Sequence, residues 1–539
     1  MAHEMQAFAC FTVKLRWSFF PRTLVGMSQR IFVPLLSITV LTGVIAGSLF
    51  LSSSPTSWDD GLRHMTMARV MRSEGIDQTW SRFFSGGYLA DHQVDPWFLA
   101  DVSYIPFTVF SDPIALRLYS IVGIFALLLI VWRLLVPLRL PTAWLCILLV
   151  LTLSDHEFIT RILLGRPFVW ATVFALMALD AILRRKHFVV AAILLLATLF
   201  SQLFVFPLFF AGVGVVWLVC DRRFRDARVL GIAMLVGTGL GLALHPQAAE
   251  YLRYLAQVFL QIPFASRSLS LGSEMHPSYN VSASVGIFSV CIILFAGGIK
   301  EKSLRFSELR LHGTPLLLLL ILPLFGAYLF AWMRAIDFLW PLLVLLLAQS
   351  LSLSREFSVS LFSVSMRPLL PGIRGGPLVF GCIILAFLAM NLRTGLRLRA
   401  TDSDRSMAHF APVSALPAGS RILNPEWFFL PPFIAVNPHV TFATGIDNTF
   451  TWKMNPEAYK LLEVYFSMAA QIPQPVVDIR LWMTQLLAIY PSDYLVVSHQ
   501  WGKHLLPALR ETQGLKALTT SGAVIEVFAI DAKKFSQNP

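Results

Sequence analysis

The sequence predicts a polytopic, all-α membrane domain followed by a small α/β domain, and three observations predict it. Hydrophobic residues fill 56% of 539 positions and charged residues only 14%, with a mean hydropathy of +0.67, whereas soluble domains use roughly 45–50% apolar residues. Most of the apolar residues fall in long runs, which only a bilayer solvates cheaply. From about residue 393 the pattern changes to short strand-like and helical stretches separated by prolines. A net charge of +12 would suggest nucleic acid in a soluble protein, but here many Lys and Arg sit in short clusters between apolar runs. They read as topology signals, so membrane lipid is the expected partner and nucleic acid is not. Cys10, Cys146, Cys220, Cys291 and Cys382 are scattered without C-x-x-C spacing. Neither a disulfide framework nor a zinc site follows from them.

Backbone groups in lipid must be satisfied within their own segment, so each apolar run is counted as a helix. About eleven are expected, at 31–52, 114–135, 141–154, 167–183, 188–201, 203–220, 229–246, 281–299, 314–332, 338–353 and 377–392. Those at 141–154 and 188–201 are shorter than the ~20 residues of a full span. Lys14 to Arg30 precede the first run, and Arg133 with Arg139, Arg184 to Lys186, Arg222 to Arg228, Lys300 to Arg310 and Arg355 to Arg374 occupy every second loop. These loops are read as cytoplasmic. Residues 1–30 then form a cytoplasmic segment, 31–392 the membrane domain with a first outward loop at 53–113, and 393–539 an extracytoplasmic α/β domain. The expected location is a bacterial inner membrane with that domain in the periplasm. The first run is long and no small-x-small site precedes Trp58, so it reads as an anchor, not a cleaved leader. In the last third, strands are expected at 420–423, 440–444, 494–498 and 524–530, and helices at 456–470 and 505–513.

The residues that can carry chemistry sit in the outward loops. Just after the first helix comes Trp58-Asp59-Asp60-Gly61-Leu62-Arg63-His64, opening a helix over Met65 to Arg72 whose apolar face would lie along the membrane surface. One aspartate would cap that helix; capping does not account for the second, nor for His64 one turn on, which can share a face with Asp60. Asp59, Asp60 and His64 are therefore catalytic candidates. The second outward loop carries Asp155-His156-Glu157, then Arg161 and Arg166. Two carboxylates two residues apart can hold one hard cation, Mg or Mn, and guanidinium forks suit a phosphate. Arg334 is a further phosphate candidate, although Arg334 and Asp337 are most simply an ion pair across a hairpin. Glu274, His276 and Asp447 could line an acceptor cleft; Asp447, in Gly445 to Phe450, reads more simply as a turn residue.

An aspartate in the first outward loop opening an amphipathic helix, a D-x-E element in the second, and a soluble C-terminal domain on the same side resemble the GT-C glycosyltransferases. These include the oligosaccharyltransferases, protein mannosyltransferases and aminoarabinose transferases. Asp60 (or Asp59) matches the first-loop aspartate, and Asp155 with Glu157 the second element of the oligosaccharyltransferase branch. The resemblance implies a sugar donor on a polyprenyl phosphate or pyrophosphate and inversion at the anomeric carbon. The W-W-D-x-G signature of the oligosaccharyltransferases is missing, so their acceptor recognition is not carried over. A transporter or a non-catalytic membrane scaffold stays open beside this reading. Few ionisable residues fall in the middle of the helices, which speaks against the transporter.

Overall fold

The structure, a computed structural model, describes residues 29–51, 60–86, 88–260, 282–300, 313–330, 333–353, 385–393 apart from 387 and 391, 407–443, 455–469, 478–520 and 523–536. Helix α1 (Gln29–Leu51) is followed by α2 (Asp60–Glu74) and the short α3 (Phe98–Tyr104). Then come α4 (Asp112–Leu135), α5 (Thr142–Thr152), α6 (His156–Leu163), α7 (Phe168–Leu183), α8 (His187–Phe200), α9 (Val205–Cys220) and α10 (Phe224–Leu244). The helical part closes with α11 (Ala248–Leu260), α12 (Ser282–Lys300), α13 (Thr314–Phe330) and α14 (Ile336–Leu353). Helices thus stand at the expected apolar runs from 31 to 353, while the run at 377–392 lies largely outside the described residues.

Length separates these helices. Among the described residues, four stretches are long and apolar enough to cross a membrane: Asp112–Leu138, Gln202–Cys220, Phe224–Leu244 and Ile336–Leu353. A fifth is added if α5 and α6, bent by 69° at their junction, form one broken span. The break has a local cause: Asp155 leaves the helical conformation and its carboxylate accepts the Phe158 N–H, capping α6. Helices such as α7, α8 and α13 have 10–17 residues, short of the ~20 of a full span, so by length they do not reach the expected count of about eleven. Helix α14 is apolar nearly all round and buried along its length, as the central helix of a bundle must be. Helix α10 closes onto α8 at Gly237, where a side chain would run into the Ala191 backbone.

The C-terminal part is a mixed five-stranded sheet flanked by helices. Its elements are β1 (Arg421–Leu423), α15 (Leu430–Val436), β2 (Thr441–Phe442), α16 (Pro456–Ala469), α17 (Ile479–Ile489), β3 (Tyr494–Ser498), α18 (Leu506–Glu511), β4 (Leu515–Ala517) and β5 (Ile525–Ile530). The order is β2-β1-β3-β5-β4, with β1 parallel to both β2 and β3, and β5 antiparallel to β3 and β4. Two buried acids sit in this part. Glu426 takes the Tyr465 hydroxyl and the Ser498 N–H, and Glu526 takes the guanidinium of Arg510.

The sheet is joined to the loop that links α1 to α4. Phe84 forms a parallel bridge with Phe442 at the edge of β2, and the Ser85 N–H donates to the Phe442 carbonyl at 3.0 Å. One apolar core runs through Met67, Trp80, Phe83, Phe200, Tyr254, Phe410, Phe433 and Val496. Segments from the loop between α1 and α4, the turn near 202, the start of α11 and the last third of the chain therefore share one side of the bundle. This core also corrects the placement of α2. Instead of resting one face on the membrane surface, it is buried nearly all round, because α3 and α15 cover it.

Candidate active site

The head of α2 is pinned against the turn that follows α6. A Cβ on Gly61 would stand 2.8 Å from the Gly165 carbonyl oxygen and 3.0 Å from that of Leu164, so only glycine allows this approach. Gly165 has φ 71°, a left-handed conformation that costs glycine little. The Tyr104 hydroxyl donates to the same Gly165 carbonyl at 2.5 Å. Asp60, the first residue of α2, is thereby brought to the turn that leads into Arg166. Its carboxylate lies 3.5 Å from Arg63 and its side chain is 27% exposed, against 4% for Arg63.

His64 turns inward. Its Nδ1 is 2.5 Å from Asp101 Oδ1, and its ring stacks on Tyr104 and meets Trp80 and Trp97 edge-on. Burial, reinforced by the charge of Arg63, pushes its pKa well below the ordinary histidine value. Expected as a catalytic partner of Asp60, it instead fastens α2 to α3 and is 1% exposed. The Trp80 indole N–H is shared between Asp95 Oδ1 at 3.0 Å and Asp101 Oδ2 at 3.2 Å. Burial raises the Asp95 carboxyl to about 6; burial and the neighbouring Asp95 raise Asp101 well above the usual range. The Arg63 guanidinium supplies the counter-charge, lying over the rings of Trp97 and Trp80 at 4.5 and 5.1 Å. Asp95, Asp101, Arg63 and the two tryptophans were not legible as a site. They lie up to 38 residues apart in one loop, and no local spacing marks them.

Across the Gly165 turn, three arginines converge on one aromatic ring. The guanidinium carbons of Arg161, Arg166 and Arg334 lie 5.3, 5.8 and 5.1 Å from the centroid of Phe168. All three phosphate candidates are thus brought together, although Arg334 is more than 160 residues from the others in sequence. Arg161 is buried, and its Nε donates to Asp337 at 2.9 and 3.1 Å. The carboxylate expected to pair across its own hairpin with Arg334 therefore reaches α6 as well. Arg166 and Arg334 are half-buried.

Asp155 and Glu157, expected to hold a cation, each accept a protein hydrogen bond. Asp155 caps α6, and Glu157 Oε2 takes the Tyr328 hydroxyl at 3.0 Å. Among the described residues no group of three or more His, Cys, Asp or Glu is gathered to hold a metal ion. The two carboxylates do not make a divalent site by themselves, since magnesium and its like need more oxygen ligands than this pair offers. Asp59, Glu274, His276 and Asp447 lie outside the described residues.

Solved structures with a similar fold include oligosaccharyltransferases. Archaeal oligosaccharyltransferase AglB from Archaeoglobus fulgidus, in complex with an inhibitory peptide and a dolichol-phosphate, aligns with a TM-score of 0.53 at 12% identity, over 94% of this chain and 75% of that one. The Archaeoglobus fulgidus oligosaccharyltransferase tethered to an acceptor peptide containing the NVT sequon gives 0.54 at the same identity and coverage. Arabinofuranosyltransferase AftD from Mycobacteria gives 0.46 at 14% identity, over 91% of this chain and 41% of that one. At such identities the likeness is one of fold, shared with the two oligosaccharyltransferase structures, and the long apolar helices mark an integral membrane protein. Neither a protein-family model nor a curated protein matches the sequence.

Proposed function

We propose that this chain is a membrane glycosyltransferase. It moves a sugar from a polyprenyl-phosphate-linked donor to an acceptor on the outward, periplasmic face of a bacterial inner membrane, with inversion at the anomeric carbon. The observation that carries the reading is the convergence of Arg161, Arg166 and Arg334 on Phe168, set against the turn where α2 begins with Asp60. Sugar transfer from a lipid phosphate needs this pairing. A carboxylate takes the proton of the acceptor hydroxyl or amide as that atom bonds to the anomeric carbon, and the electron pair of the breaking C–O bond leaves on the phosphate. Fixed guanidinium forks stabilise the charge that develops there. Asp60 is the base, steadied by Arg63. Arg166 and Arg334, which reach the solvent side, take the phosphate, and Arg161 is the buried support tied to Asp337. Any divalent ion, Mg or Mn, would need Asp155 and Glu157 together with donors beyond the described residues, and no step is routed through it. The fold likeness to an oligosaccharyltransferase solved with a dolichol-phosphate supports the lipid-linked donor. In this reading about eleven spans place residues 393–539 outside, over the site, where Asp447, Glu274 and His276 would approach the acceptor.

The test is transfer from a lipid-linked sugar donor in membranes containing the full chain. Asp60→Asn should lower turnover by about 10²–10⁴-fold, the usual contribution of a general base, at unchanged folded yield. Arg166→Lys or Arg334→Lys should cost about tenfold or more, because lysine keeps the charge and loses the fork. Parental rates in Asp60→Asn would remove the base, and parental rates in both arginine variants would remove the phosphate site.

A further inference from the structure

A cavity of about 470 Å³ opens on the flank of the bundle between the second half of α4, the length of α7 and the start of α8. Its wall is apolar, with Leu129, Ile130, Val173, Met177, Val189 and Ile193, and at one end stand Arg133, Asp180 and Lys186. Leu129, Met177 and Val189 are 37, 36 and 43% exposed, so the groove is open along its side. Helix α4 is long and apolar enough to cross a membrane, which places that opening against hydrocarbon and makes an alkyl chain its natural filling.

The charged end adds a preference. Arg133 Nε and Arg184 Nε both donate to Asp180, at 2.8 and 2.6 Å, so two guanidinium groups share one carboxylate. Lys186 is exposed, with Arg185 beside it, and positive charge is in excess at this rim. The backbone carries the same sign. Arg139, Arg185 and Arg222 follow helix ends in the left-handed conformation, with φ 52°, 58° and 57°, at positions where glycine is the residue without strain. Arginine there keeps a cation at three turns of the bundle.

We propose that this groove binds an anionic phospholipid, its acyl chain along Leu129, Val173 and Met177 and its phosphate against Lys186 at the basic end. The inference is independent of the sugar-transfer reading. Full-length protein in mild detergent would be offered phosphatidylglycerol or phosphatidylcholine of identical chains, with retention read by native mass spectrometry and stabilisation by thermal unfolding. Phosphatidylglycerol should be retained several-fold better and raise Tm further. Lys186→Glu, at an exposed position, should lower that retention several-fold, and Val173→Trp should fill the groove and abolish retention of both lipids. If the tryptophan variant fails to fold, Lys186→Glu alone decides. Equal retention of the two lipids, or undiminished phosphatidylglycerol in Lys186→Glu, overturns the proposal. So does inorganic phosphate that stabilises as well as the lipid, since the apolar wall would then contribute nothing.

Discussion

Two polar clusters meet at the Gly165 turn, and they are built on opposite rules. Below α2, His64, Asp95, Asp101, Arg63 and Trp80 form a dry network in which His64 and Trp80 find their partners inside the protein and no side chain is more than 4% exposed. Around Phe168, Arg161 is buried against Asp337, while Arg166 and Arg334 lie half-buried over the same ring. Charge in a low-dielectric core is tolerable only with its complement in place. Around Phe168 an aromatic face adds its own attraction for the three guanidinium groups. In the proposed mechanism the first cluster governs whether the site forms, and the second what it holds.

That contrast is broken most severely by Asp101→Leu. His64 would lose its Asp101 partner and Trp80 the longer of its two hydrogen bonds, leaving it on Asp95; the loss should be about 3–5 kcal/mol for a broken buried pair. Thermal unfolding in detergent should show it as collapse of folded yield, and a variant as stable as the parent would show the network to be ornamental. Next is Arg161→Met, which removes the buried guanidinium from Asp337 and should cost about 3 kcal/mol. Adding Asp337→Leu should recover at least half of that without restoring any phosphate affinity, and a double variant no more stable than the single would mean that Arg161 acts elsewhere.

The junction between the clusters is tested by Gly61→Ala. Its methyl group meets two backbone carbonyls that cannot swing away, so the head of α2 must lift at a cost of about 1–3 kcal/mol. Sugar transfer should fall more than folded yield, because Asp60 then moves relative to Arg166. Unequal losses would be visible in the ratio of turnover to folded protein, and equal ones would separate the turn from the chemistry.

The smallest effect is one of pH. Asp95, raised to about 6 by burial, contributes stability that is full below its unfolded value of ~3.9 and is lost as pH rises through 6. His64, lowered by burial, works with the opposite sign: its contribution is present above ~6.5 and is lost as pH falls. The two oppose each other between pH 4 and 6. Asp95→Asn deletes the first alone, so stability should fall more steeply on acidification, by up to about 1.4 kcal/mol per pH unit. Unfolding midpoints at pH 4, 5 and 6 for parent and variant measure the difference, and parallel curves would show that Asp95 does not hold the extra proton.

Legibility followed range. The helices stand where contiguous apolar runs placed them, because the demand of lipid is written locally. Strands near 420–423 and 494–498 were legible as short apolar runs between turns, while the three-residue Leu515–Ala517, with Lys516 and Ala517 exposed, was not. Asp60 and the arginines could be singled out by type and position at the lips of helices. Their arrangement could not, because Arg161 finds Asp337 across 176 residues and His64 finds Asp101 across 37. The inward turn of His64 was lost for the same reason. A helix wheel shows which residues share a face, not which face the rest of the chain will cover.

The bridge between Phe84 and Phe442 bears on the order in which this protein is made. Its two halves emerge roughly 360 residues apart, and at about 5–20 residues per second that is on the order of 20–70 s of synthesis. Throughout that interval the loop carrying Asp60 stands without the sheet edge and the apolar residues that complete its core. Its Trp80, Phe83 and Phe84 are then uncovered and available to any chaperone within reach. The last third of the chain thus acts on the first as a late-arriving fold template, and a truncation before residue 442 should leave the loop that follows α1 open to protease.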